Sequence, residues 1–226
     1  MNKTVAAVAA TFALALLSGC AGMKPMALSK DTQKLDLSQE SIAVMTVRVN
    51  NTYKTSYQPR LKFVAVRADD AEKKESSFGI GELLSSDESE QNQFEEAAVS
   101  LSLPPGKYQL RLVGVKSNGI LVAGNSGMVP IYAPFELKPG QVTYLGRIEA
   151  MRRERKNDDE LRAGIVIPLI DQAVAGYSGG TFDVSIVDSY DNDVATLRKI
   201  YPALEKVEVA KAMLPKWRKP TDEEMK

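Results

Sequence analysis

The chain has 226 residues, with 29 basic and 29 acidic side chains, one cysteine and no histidine. The balanced charge excludes a general nucleic-acid binder, whose affinity rests on clustered Lys and Arg neutralising phosphates. Without histidine the commonest general base and metal ligand is missing. Serine, cysteine and zinc chemistry in their usual forms each lose a required part, so neither catalysis nor a cofactor or metal is expected.

The chain starts with Lys3, an apolar core from Val5 to Leu17, and the run Leu17-Ser18-Gly19-Cys20. These are the parts of a secretory signal. Thr4 to Met23 carries no charge, and a bilayer span needs ~20 apolar residues, so an uncleaved anchor is one alternative and a plain secreted protein with a stray cysteine the other. Cys20, the only cysteine, stands directly after Leu-Ser-Gly. In this the segment resembles the signal peptide and lipobox of bacterial lipoproteins. The resemblance implies cleavage between Gly19 and Cys20, with lipid on the Cys20 sulfur and on the new N-terminus. Several acyl chains hold a protein stably where one does not. Ala21, where an Asp would suggest inner-membrane retention, implies the periplasmic face of the outer membrane in a Gram-negative cell. Cleavage removes one charged residue, Lys3, and lipidation of Cys20 leaves no thiol for a disulfide. The 44% of apolar residues must then supply the stability.

Residues 20–40 hold Pro25 and few large apolar side chains, and read as a flexible tether. Such a length reaches ~65–70 Å at most, and about 25 Å on average. From Ser41 the period is two. Ala43, Met45, Val47 and Val49 alternate with Thr46, Arg48 and Asn50, which predicts a half-buried strand. A second strand is expected over Arg60–Arg67. Ala68–Glu96 is rich in Asp, Glu, Ser and Lys around an apolar island, Phe78–Leu84, and reads as a long mobile excursion. Its acids Asp87, Glu88, Glu90, Glu95 and Glu96 lack a regular ligand spacing and fit a solvated charged loop.

Val99, Leu101 and Leu103 alternate with Ser100 and Ser102. Pro104-Pro105-Gly106 turns the chain, and Tyr108, Leu110 and Leu112 alternate with Gln109 and Arg111. This predicts a hairpin. Asn118-Gly119 marks a further turn. Phe135 and Leu137 lead into Pro139-Gly140, and Val142, Tyr144, Gly146 and Ile148 lead out, predicting a second hairpin. Leu103–Leu112 and Phe135–Ile148 look like the hairpins of carboxypeptidase-regulatory-like and transthyretin-like β-sandwich modules. That resemblance implies a sandwich over about 41–150 and an accessory or binding role, and it supplies no catalytic residues.

Met151–Glu160 is highly charged and reads as an exposed loop. Ile165–Ile170 is apolar but holds Pro168, which suits an edge or an end. Phe182, Val184 and Ile186 predict another strand. One helix follows, with Asp191 as its cap and Asp193 near its positive end. Arg198 and Lys199 lie near its negative end, and Val194, Leu197, Tyr201 and Leu204 on one face. Residues 151–214 are expected to pack on the core, and 215–226 to form a frayed polar tail. The fold expected is therefore mainly β, an antiparallel immunoglobulin-like or transthyretin-like sandwich with one C-terminal amphipathic helix.

Three constellations carry possible chemistry. Gly176-Tyr-Ser-Gly-Gly180 matches the nucleophile elbow, yet a strand pattern follows Ser178 where a helix is required, and the histidine base is missing. Asp188, Asp191 and Asp193 offer oxygens to calcium without the spacing of an EF-hand, and helix capping explains them. Tyr53, Tyr57, Tyr132, Tyr177 and Trp217 could give a glycan- or peptide-binding surface, or pack over sheet edges. Tyr53 and Tyr57, in a polar loop, are the expected binding surface. The expected role is a non-catalytic binding or assembly module of the envelope with a protein partner. A small-molecule, glycan or peptide binder is the alternative, and a hydrolase using Ser178 the remote one.

Cys20→Ser should abolish lipid attachment and leave the protein uncleaved or mislocalised. Envelope fractionation and the mass of the mature N-terminus check this. Normal processing and outer-membrane fractionation of the variant would overturn the lipoprotein reading.

Overall fold

In a computed structural model the described residues are 22–70, 72–87, 94–117, 126–164 and 176–225. Gly19, Cys20, Glu88, Glu90, the Asn118-Gly119 turn and the Ile165–Ile170 run lie outside them. Two sheets face each other. The strands are β1 (Ser41–Asn51), β2 (Pro59–Ala68), β3 (Glu75–Gly79), β4 (Leu83–Asp87), β5 (Phe94–Leu103), β6 (Gly106–Ser117), β7 (Ser126–Leu137), β8 (Val142–Glu154), β9 (Gly180–Val187) and β10 (Val209–Lys211). One sheet has the order β3-β2-β6-β7, the other β4-β5-β1-β8. β10 and β9 share the far edge of β8, pairing with Val142–Tyr144 and Arg147–Glu154 in turn. Pairing is antiparallel except where β1 and β10 run parallel to β8. The fold is mainly β and sandwich-like, as expected.

Helix α1 (Tyr190–Ile200) lies on the outer face of the six-stranded sheet. Val194, Leu197, Tyr201 and Leu204 all bury, against Ile42, Val44, Val142 and Tyr144. That sheet is therefore covered twice, by the four-stranded sheet inside and by α1 outside. This corrects the half-buried reading of β1. The outward face of its first half is covered, with Thr46 0% exposed, while Arg48 and Asn50 stay half-buried. Asp191 is not the cap either. Ser189 holds the N-cap position without a side-chain bond, and Asp188 accepts the Tyr190 N–H at 3.3 Å.

The two Pro-Gly turns are not hairpins. Pro104-Pro105 joins β5 to β6, and Pro139-Gly140 joins β7 to β8, and in each case the two strands belong to opposite sheets. Gly140 takes φ +67°, as the third residue of a type II turn after proline requires. Alternation and turn chemistry specify that the chain reverses. They do not specify whether it comes back beside itself or across the core. In the second case both apolar faces still meet.

The described parts of Ala68–Glu96 are likewise not a loose excursion. Its apolar island builds β3 and β4, and Phe78 is 1% exposed. Glu95 and Glu96 are buried in β5. Charged Met151–Glu154 continues β8, with Arg152 fully buried, so the charged loop starts only at Arg155. Residues 24–28 and the tail also dock. Ala27 N–H donates to Ser100 O at 2.8 Å, Arg111 Nη1 donates to Glu224 O at 2.7 Å, and Pro220 is buried.

β8 carries one extra residue where β1 passes from Val44 to Thr46. Gly146 sits there at φ +114°, where a Cβ would meet Met213 Cε at 2.8 Å. This bulge lets β10 hand over to β9 along a single strand.

A second bulge lies at Arg111 of β6, which shifts the register against β2 and β7. The inward set becomes Tyr108, Leu110, Val113 and Val115, while Leu112 turns outward and is half-buried. Leu110→Ala should cost ~2–5 kcal/mol from its fully buried site. Leu112→Ala should cost clearly less. Urea denaturation of both variants checks the register, and equal losses would refute it.

Candidate functional site

A groove of about 330 Å³ opens between the edges of β7 and β9. Its walls come from separate parts of the chain. β7 gives Pro130, β8 Arg153, β9 Thr181, Phe182 and Asp183, and the β8–β9 connection Glu160 and Arg162. Trp217 and Lys219 of the tail complete it. The connection is fixed by its main chain. Ala163 receives the Met128 N–H at its oxygen and donates its own N–H to Gly180 O, at 2.9 and 2.8 Å, tying both strand edges together. Trp217 donates its indole N–H to Pro130 O at 2.8 Å, which fixes the ring at the groove. Lys219 Nζ donates to Asp159 O.

The charges are arranged around Arg153. Its Nη1 and Nη2 donate to both Glu160 oxygens, at 3.0 and 2.6 Å, and its Nε donates to Asp183 Oδ2 at 2.8 Å. Hydrogen bonds from Arg153 and from the Lys156 N–H push the Glu160 carboxyl down to about 2. A bidentate pair of this kind is geometrically specific as well as strong. Arg162 Nη1 donates to Ser178 O at 2.7 Å. The groove thus presents an aromatic wall beside charges already held in place. It can recognise shape and polarity, and its Glu160 and Asp183 carboxylates are both paired with the Arg153 guanidinium.

The residues singled out from sequence are dispersed. Tyr53 and Tyr57 are half-buried in the β1–β2 loop. Tyr57 packs on the core, while Tyr53 lies against the glycine loop, its hydroxyl 3.3 Å from where a Gly179 Cβ would stand. Burial, then Glu154, raises the Tyr53 pKa. Tyr177 is fully buried with its hydroxyl 2.8 Å from Ser117 Oγ, so it offers no surface. Tyr132 is covered by the Arg111 guanidinium at 4.3 Å. Of the aromatic set, only Trp217 lines the groove. Ser178 is 8% exposed and precedes β9, so the helix that an elbow requires is not there.

The aspartates also part company. Asp188 pairs with Lys211, and Asp191 is exposed. Asp193 points into the sheet, where it accepts from Thr46 Oγ1 at 2.6 Å, from the Tyr144 hydroxyl at 2.8 Å and from Arg147 Nη2. Burial works against its charge, yet these three donors hold its pKa below the ordinary carboxylate value. Glu96 extends the network, with Arg147 at 3.6 Å and Arg48 Nε donating to it at 2.6 Å.

Arg152 escaped sequence reasoning. It lies in the core with its guanidinium 4.0 Å over the Tyr177 ring and Nη2 donating to Tyr57 O at 2.6 Å. Its Nε and Nη1 have no hydrogen-bond partner among the described residues, and burial lowers its pKa. The sole sequence signal was an arginine at an inward register position of β8, hidden in a charged run.

No family model, no curated protein and no solved structure matches the chain.

Arg147→Ala strands the Asp193 carboxylate and should cost ~3–5 kcal/mol, as removing one partner of a buried ion pair does. Because the folded pKa of Asp193 is depressed, its contribution is complete above about pH 4, the unfolded value, and is lost as pH falls through the folded one. Denaturation midpoints in that acid window should therefore fall in the wild type, and Asp193→Asn should flatten this part of the profile. A wild-type profile that Asp193→Asn leaves unchanged would refute the assignment.

Proposed function

We propose that this protein is a lipid-anchored module on the periplasmic face of a bacterial outer membrane, and that it works by holding a partner and not by transforming a substrate. Leu17-Ser18-Gly19-Cys20 supports the location, and a chain without histidine supports the non-catalytic role. The observation that carries the binding role is the Trp217 groove, where a fixed indole faces charges set by Arg153, Glu160 and Asp183. Partner contacts concentrate in a few such anchors, with Trp and Arg over-represented among them. The envelope partner is a protein that inserts a polar or charged segment beside Trp217.

A second reading has its own observation. The groove volume of about 330 Å³ falls at the small end of ligand pockets, which run ~300–1,000 Å³. A short peptide or a sugar unit would fit there with no larger docking surface. Both readings use the same residues and differ in what else the partner touches.

A photo-reactive side chain at Asn157, on the groove rim, should capture one partner species in intact envelopes. The same side chain at Lys116, outside the groove, should not. Trp217→Ala should weaken the capture about tenfold or more, the loss of one interface hot spot of ~2 kcal/mol. It should also fail to complement a deletion strain, while Ser178→Ala complements in full. A Trp217→Ala variant with a normal denaturation midpoint that complements, paired with a folded Ser178→Ala that does not, would favour the hydrolase.

A further inference from the structure

The segment from Met23 to Leu28 is a strap across one open side of the sandwich. Lys24 N–H donates to Ser77 O at 2.7 Å, and Gly79 N–H donates to Lys24 O at 2.9 Å, so this end lies along β3. At the other end Ala27 N–H donates to Ser100 O at 2.8 Å, and Leu28 N–H donates to Ser100 Oγ at 3.0 Å, along β5. Leu28 is 2% exposed. The chain is therefore held to both sheets between Lys24 and Leu28, and only three residues separate Cys20 from the start of that hold.

We infer that the corner of the sandwich around this strap, marked by Met23 and Leu83, rests on the lipid surface that holds the acyl chains of Cys20. The inference depends on the lipid-anchored reading above. Four Cα steps join Cys20 to Lys24, reaching about 14 Å when taut and about 10–12 Å on average. A body so tied cannot stand off the headgroups. Met23 is 62% exposed and Leu83 49%, the most exposed of the large apolar side chains among the described residues. Both belong to this corner. Met23 Cβ lies 4.0 Å from where a Gly79 Cβ would stand, Gly81 lies against Met26, and Leu83 follows two residues later. The charge at this corner is mixed, since the pocket that Lys24 lines also holds Asp69, Asp70 and Glu72 beside Lys74 and Lys107. Glu82 is paired with Lys30 at 2.8 Å, and exposed Lys24 extends over the Phe78 ring at 5.4 Å.

The sheet orders give this placement a consequence. β3 and β4 lie on one side of the sandwich, and β7 and β9 on the other. With the strap side on the bilayer, the Trp217 groove opens on the side away from it, toward the periplasm.

The test uses the mature lipidated chain in vesicles of phosphatidylethanolamine and phosphatidylglycerol with a share of nitroxide-labelled lipid. Because the Cys20 sulfur carries lipid, an introduced cysteine is the one free thiol. Bimane on Leu83→Cys should be quenched about threefold more than bimane on Met151→Cys, as a label within ~5–10 Å of the acyl boundary should be. Inserting a Gly/Ser linker of ~20 residues after Gly22, with a mean reach of about 25 Å, should bring position 83 down to the level of 151 while the protein still floats with the vesicles. Equal quenching at 83 and 151 in floated protein overturns the placement alone. A disulfide between two copies of Leu83→Cys makes the corner an interface between copies and also overturns it. Wild-type chain that does not float overturns the anchoring reading, and the placement with it.

Discussion

The outer layer of the fold depends on one buried carboxylate. Asp193 is 1% exposed and lies in the first turn of α1, over a sheet whose other face is already covered. Leaving that charge in the interior is tolerable because β1 supplies Thr46, and β8 supplies Tyr144 and Arg147, all aimed at the same point. A buried ion pair is weak as a net source of stability, but breaking one is expensive. The network therefore fixes where α1 sits more than it adds to the total. The apolar stripe of Val194 and Leu197 would tolerate small slides along the sheet, and the carboxylate does not.

A sandwich has two open sides, and this one closes them differently. On the β3 and β5 side the strap hydrogen-bonds to both sheets, occupying main-chain groups that an exposed edge would leave unpaired. On the β7 and β9 side the closure is partial. Ala163 ties the two edges at one point, Pro130 and Pro134 deny β7 two donors, and Trp217 covers the Pro130 oxygen. The space between these closures is the groove. Structural need and a recognition surface coincide there, since the groups that protect the edge also line the cavity.

The core was mostly legible in the sequence. Period-two patterns over Val99–Leu103 and Tyr108–Leu110, and the helical stripe from Val194 to Leu204, each reappear as buried faces, and Val184 and Ile186 pack half-buried beside Phe182. Errors collected where burial is not apolar. Glu95, Glu96 and Arg152 were read as solvated because charge alone predicts exposure, Asp193 was read only as a charge suiting the helix start, and the partners of all four come from segments far away in sequence. Glu95, for example, accepts the Leu61 N–H at 2.6 Å, at a bulge in β2 of the opposite sheet. The groove was illegible for the same reason. Trp217 was noticed, but its neighbours Arg153 and Glu160 lay in a charged run that suggested only a loop.

What the sequence determined by itself was the class of the fold, the reversals at Pro104-Pro105 and Pro139-Gly140, and the helix with its apolar face. These follow from local rules, since side-chain period and turn residues act over a few positions. Tertiary structure decided what those reversals connect. Pro104-Pro105 and Pro139-Gly140 carry the chain across the core instead of back beside itself, because pairing β1 with both β5 and β8 leaves β6 and β7 to the opposite sheet. It also decided that the polar segments at both ends bind the body. Backbone groups of the strap found strand groups at Ser77 and Ser100, and the Trp217 indole N–H found the Pro130 oxygen, and nothing in a polar sequence shows that such edges are waiting.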